Sequence, residues 1–152
     1  MATYAFQDVT ATLAGSDGVI DLGYGASDAK EGITVTLANA RNRMTVGADG
    51  EYMHSLSSDH SGTVTVRLLQ TSPANAKLQA LYNSQTLAST DWGNNTITIY
   101  NYGNDEQVVC SGCAFQKAPD RAYAEEGQTQ TWVFDCGKID FTTGYYVGAG
   151  AE

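Results

Sequence analysis

Arg43-Met44-Thr45-Val46-Gly47-Ala48-Asp49-Gly50-Glu51-Tyr52-Met53-His54-Ser55-Leu56, then a polar turn, then Gly62-Thr63-Val64-Thr65-Val66-Arg67-Leu68-Leu69 is the stretch that decides the fold. In its second half Val64, Val66 and Leu68 alternate with Thr63, Thr65 and Arg67. That two-residue period is the mark of a half-buried antiparallel strand. Arg43–Val46 reads as another strand-like run, so Gly47–Ser61 is expected as a connecting loop of about 15 residues, unusually long for a compact domain. Its composition is not that of a disordered segment: Tyr52, Met53 and Leu56 stand beside Asp49, Glu51 and His54. An ordered, partly apolar excursion of this kind predicts a surface that docks on something else. Gly47 and Gly50 would supply the backbone freedom to enter and turn it.

The same period recurs outward from this stretch. Ile33, Val35 and Leu37 alternate with Thr34 and Thr36, and Ile97 and Ile99 with Thr96, Thr98 and Tyr100. Trp132, Phe134 and Cys136 alternate with Thr131, Val133 and Asp135. Further strands are expected near Phe6–Leu13, Val19–Leu22, Arg41–Val46 and Gln107–Phe115. One helix interrupts them. Ser72 is its expected cap and Pro73 its first residue, and Ala74, Leu78, Leu81, Tyr82 and Gln85 share a face; it ends before Asp91. The pattern predicts a mainly β, antiparallel β-sandwich or partial barrel with one flanking α-helix covering its open side. Residues 1–152 form a single domain, and the tail 144–152, which begins Gly144-Tyr145-Tyr146-Val147, is expected to stay loose until a partner orders it.

Composition narrows the function classes. Hydrophobic residues make up 42% of 152, enough for a real core, and 16 glycines against 2 prolines suit tight turns between short strands. The net charge of −9 argues against a nucleic-acid-binding surface, which carries a basic patch. The start, Met1-Ala2-Thr3-Tyr4-Ala5-Phe6, has neither a basic region nor an apolar run, so no export signal and no membrane span are expected. A disulfide framework is then not expected from the three cysteines.

Motifs for chemistry are incomplete. Cys110-Ser111-Gly112-Cys113 has the spacing of half a zinc site, but Cys136, His54 and His60 supply no matching pair, and on a regular strand Cys110 and Cys113 face opposite sides. His54 and His60, even with Asp59 nearby, have no accompanying nucleophile. Gly23-Tyr24-Gly25-Ala26-Ser27 lacks the lysine of a phosphate loop and reads as a turn, as do Asp17-Gly18, Asp49-Gly50 and Glu125-Glu126-Gly127. Asp49 and Glu51 lack the spacing of a calcium loop. No catalytic residue, metal or cofactor is expected.

Several segments resemble one family. They are Tyr4-Ala5-Phe6-Gln7-Asp8-Val9, Gly18-Val19-Ile20-Asp21-Leu22-Gly23, the Thr45–Ser55 excursion, Val64 to Asn75 with its Thr71-Ser72-Pro73 junction, and Trp132-Val133-Phe134-Asp135-Cys136. Together, from about Tyr4 to Asp140, they are similar to the tail tube proteins of contractile-tailed bacteriophages, whose fold is shared by hemolysin-coregulated protein of type VI secretion. The resemblance implies homohexameric rings stacked into a hollow tube that conducts DNA. It implies sheath, baseplate and tail terminator proteins as partners, tape-measure protein and DNA transiently in the lumen, and no membrane binding. It places the protein in the virion tail, assembled in the host cytoplasm. On it, Gly47, Asp49, Gly50, Glu51, Tyr52, Met53, His54 and Leu56 make inter-subunit and inter-ring contacts. Arg43, Thr45, Thr63, Thr65, Arg67 and Asp135 are expected to face the lumen, with Met44, Val46, Val64, Val66 and Phe134 packed inward. Six copies at −9 each would carry −54, which repels DNA where it faces the lumen, although Arg43 and Arg67 temper this. The tube of a headless contractile injection particle (bacteriocin or type VI-like), a monomeric β-sandwich binding module, such as a small carbohydrate-binding one, and an enzyme are the competing readings. Of these, the binding module is weakened by Trp132, which falls on the buried side of its strand.

Overall fold

The computed structural model describes residues 2–5, 8–15, 18–22 and 28–146, with 28–31 as backbone alone. Among the described residues, nine strands and one α-helix follow in order: β1 (Val9–Gly15), β2 (Gly18–Asp21), β3 (Asp28–Leu37), β4 (Asn42–Val46), β5 (Tyr52–Leu56), β6 (Gly62–Leu69), α1 (Pro73–Gln85), β7 (Asn95–Asn101), β8 (Glu106–Lys117) and β9 (Thr129–Thr142). Seven of them make one antiparallel sheet in the order β2-β1-β7-β8-β9-β6-β3, and β4 and β5 pair only with each other. The large sheet rolls over on itself. Ile33 and Val35 of β3, at one edge, share a cleft of about 300 Å³ with Val9 of β1 and Ile99 of β7 near the other. The architecture is thus the expected partial barrel rather than two separate sheets, and among the described residues no strand pair closes it.

Alternation builds the core as expected. Val64, Val66, Ile97, Trp132 and Phe134 are fully buried on the inner face of the roll. Phe115 gathers the aromatic rings, meeting Phe134 at 4.8 Å, Tyr82 at 5.5 Å and Trp132 at 5.8 Å between centroids. The helix starts where the sequence places it, with the Ser72 hydroxyl accepting from the Ala74 amide. Ala74, Leu78, Leu81 and Gln85 turn inward, and so does Asn75. Its amide donates to the Leu69 carbonyl (2.8 Å), and its oxygen accepts from the Trp132 indole (3.0 Å). Gln85 and Asn95 exchange two hydrogen bonds, at 2.7 and 3.0 Å. Buried amides require such partners, because an unmatched one costs about 1–3 kcal/mol.

Three expectations need correction. The run from Gly47 to Ser61 is not a single loop, because Tyr52–Leu56 is strand β5 and pairs with β4. Of the two runs that bracket it, the second, β6, pairs with β3 and β9. Met44 and Val46 do not pack inward but are 57% and 56% exposed, because β4 leaves the sheet that has an inside. Cys110 and Cys113 both face the core, since a bulge sets two residues of β8, Ser111 and Gly112, against one of β7, Thr96, between Asn95↔Cys113 and Ile97↔Cys110. Gly112, at φ +64°, allows the extra turn. The tail is held at its start: the Tyr146 hydroxyl accepts from Asn101 at 3.2 Å. Residues 147–152, Phe6 and Gln7 of the first expected strand, the Asp17 half of the first turn, and the Gly23–Ser27 turn lie outside the described residues.

Candidate assembly surfaces

The β4–β5 ribbon is an arm standing off the barrel. Its turn closes with the Gly47 amide donating to the Glu51 carbonyl (2.7 Å), the Gly50 amide to that of Gly47 (3.1 Å), and the Glu51 amide to the Asp49 carboxylate (3.2 Å). Gly50 sits at φ +90°, a conformation that side-chain-bearing residues rarely adopt. Every residue of both strands is exposed. Register sorts them into two faces: Asn42↔Leu56, Met44↔His54 and Val46↔Tyr52 on one, Arg43↔Ser55 and Thr45↔Met53 on the other. The first is apolar and aromatic. Tyr52 lies edge-on to His54 at 5.4 Å, and His54 Nδ1 meets the Asn42 amide at 3.3 Å. Of the residues expected at an interface, Tyr52, His54 and Leu56 share this face; Met53 points away, and Asp49, Gly50 and Glu51 form the tip. Met44 and Val46, expected to pack inward, lie on the same exposed face as Tyr52 and Leu56. The one local signal of the hairpin was the Asp49-Gly50 turn dipeptide, which the alternating Arg43–Val46 run precedes.

The arm is fastened at its root. Arg41 Nε donates to the Ser57 carbonyl (2.8 Å), and the Ser57 amide returns to the Arg41 carbonyl (2.7 Å). Asp59 accepts from the Ser61 hydroxyl (2.6 Å), the Ser61 amide (2.9 Å) and Asn39 (3.0 Å). The Ser61 hydroxyl, then Asn39, then the Ser61 amide hold the Asp59 carboxyl down at about 2. The His60 carbonyl receives the Ile139 amide (2.9 Å), tying the root to β9.

A second surface is polar. Thr63, Thr65 and Arg67 point away from the core on β6, and register sets Thr63 beside Asp135 and Arg67 beside Thr131 on β9. Thr36 and Thr34 of β3 oppose Thr63 and Thr65, and Arg67 donates to the Thr34 hydroxyl at 3.1 Å. Four of the six residues expected at a lumen therefore share one outward face. Arg43 and Thr45 are on the arm, in the separate ribbon.

The same fold recurs in chains of solved contractile injection systems. A chain of the sheath/tube terminator of PVC, an extracellular contractile injection system, superposes with a TM-score of 0.61 at 13% identity, covering 93% of this chain and 98% of that one. A chain of the PVC sheath–tube complex gives 0.55 at 13% identity over 88% of each. A chain of the tube-terminating cap of the anti-feeding prophage gives 0.55 at 12% identity over 94% of each. No curated protein sequence matches the chain. The family signature of the bacteriophage PhiTE tail tube protein matches residues 1–144, so the chain belongs to that family of phage tail tube proteins. Its role is structural, as a component of the tail tube.

Proposed function

We propose that six copies of this chain close into a ring, that rings stack into a hollow tube, and that the tube conducts DNA from the virion into the host. The arm carries this reading. A two-stranded ribbon is marginally stable alone in water, yet this one exposes Met44, Val46, Tyr52 and Leu56 on one face. Those side chains gain stability only when another surface covers them. A neighbouring subunit within the ring or in the next ring is the occupant that repetition supplies, and a repeated head-to-tail contact closes rings. The face of Thr63, Thr65, Arg67 and Asp135 lines the lumen, where hydroxyls beside few charges offer passing phosphates little to hold. Sheath, baseplate and terminator proteins engage the tube from outside and at its ends. Tape-measure protein and DNA occupy the lumen in turn, and assembly takes place in the host cytoplasm. The protein works as a structural part and not as an enzyme. A headless contractile particle would use the same subunit chemistry; the family match favours the phage tail.

Negative-stain microscopy of concentrated protein is expected to show rings or tubes with sixfold end views. A uniform small monomer across protein and salt concentrations contradicts the proposal. In assembled tubes, Thr65→Cys should resist a bulky thiol reagent too large to enter. Rapid labelling along the whole tube length would move this face to the outside.

A further inference from the structure

The bulge in β8 has brought three cysteines together in the core. Cys110 and Cys113 are fully buried and Cys136 is 3% exposed. Cys113 and Cys136 are directly opposed in the β8–β9 register, and the Cys113 thiol donates to the Cys136 sulfur at 3.0 Å. Opposed residues on antiparallel strands have Cα atoms roughly 4.5–5.5 Å apart, inside the range that a disulfide spans. The Cys113 sulfur also lies 3.3 Å from the Cys110 carbonyl oxygen. Beside the pair, Gly112 and Gly137 face each other across the same two strands and are exposed, so no side chain covers the outer surface of the ladder there.

We propose that Cys113 and Cys136 are an oxidisable pair that a peroxide converts to a disulfide without rearrangement of the sheet. One thiolate attacks a peroxide oxygen, forming a sulfenic acid and releasing hydroxide. The second sulfur then attacks the sulfenic sulfur and expels its oxygen as water. Overall, two thiols and one hydrogen peroxide give one disulfide and two waters. Cys110 also lies within hydrogen-bond reach of the Cys136 sulfur, but its neighbour in the β8–β9 register is Ile139, so the directly opposed pair is Cys113 with Cys136 and Cys110 is left as the thiol. The bond would tie β8 to β9 beside the bulge, where the ladder between β7 and β8 is interrupted.

The test uses the native protein. It is treated with excess hydrogen peroxide, denatured, alkylated and digested with trypsin. Lys117 and Arg121 separate Cys136 from Cys110 and Cys113, and exposed Met44 and Met53, on a different peptide, report by sulfoxidation that the oxidant acted. The expected product is a linked peptide pair lighter by two hydrogens, with the alkyl group on Cys110, reversed by reductant. Cys110→Ala should give the same link. Sulfoxides at Met44 and Met53 with all three cysteines alkylated would overturn the proposal. A link through Cys110 would overturn it equally.

Discussion

Trp132 shows how far one side chain can be read from its neighbours. Alternation with Thr131 and Val133 puts it inside, and it is fully buried there. That removes it as a stacking platform for a sugar. The partner that satisfies its indole, Asn75, was not legible, because it comes from a helix 57 residues away in sequence. Gly62 is a second case. A Cβ at this position would run into the Thr36 carbonyl oxygen and the Ile139 side chain, so Gly62→Ala should destabilise by about 1–3 kcal/mol in urea melts, with β3–β6 pairing loosened first. Asp59 makes a prediction in pH. Its folded value of about 2 lies below the ordinary 3.8, so the stability it contributes is complete above about pH 4 and is lost as pH falls through 2. Carboxyl-carbon NMR should show it titrating near 2, and Asp59→Asn should abolish the acid-dependent rise in exchange of the Ser61 amide. A carboxyl titrating near 3.8 contradicts the network at the arm root.

At the scale of elements, α1 was the easiest to read. Its cap, its proline and its inward face all come from local chemistry within Ser72–Gln85. Leu81→Ala should cost about 2–5 kcal/mol in urea unfolding, since Leu81 is 4% exposed against the sheet. A loss under about 0.5 kcal/mol would mean that the face does not pack. The strands of the barrel were legible for a similar reason: one buried side imposes period two on each. The arm was harder. Neither of its faces is buried within the chain, so its strands carry no such constraint, and β5 was read as loop. Met44 and Val46 were then assigned to a core that β4 does not reach. The bulge at Gly112 was missed because parity along a strand assumes unbroken pairing, and one inserted residue reverses it. That one residue separates two unrelated cysteines from the cluster observed.

The whole molecule is a rolled sheet with two outward surfaces of opposite character, a polar face on β3, β6 and β9 and an apolar face on the arm. The sequence carries both surfaces but not their separation, which depends on β4 pairing with β5 rather than with β6. Subunits at −9 each repel one another, so assembly should strengthen as salt is raised from low to physiological ionic strength, where charges beyond about 8 Å are screened. Sedimentation at matched protein concentration should show the pelleted fraction rising with salt. The central claim is that the apolar face of the arm drives polymerisation. It is tested most directly by replacing Met44, Val46, Tyr52 and Leu56 together with threonine and imaging the variant beside the wild type by negative stain. Threonine favours strands, and none of these exposed side chains belongs to the buried core, so circular dichroism and the melting transition should match the wild type. The account predicts a folded, soluble subunit with no tubes at concentrations where the wild type polymerises. Tubes of normal length at the wild-type threshold would contradict it.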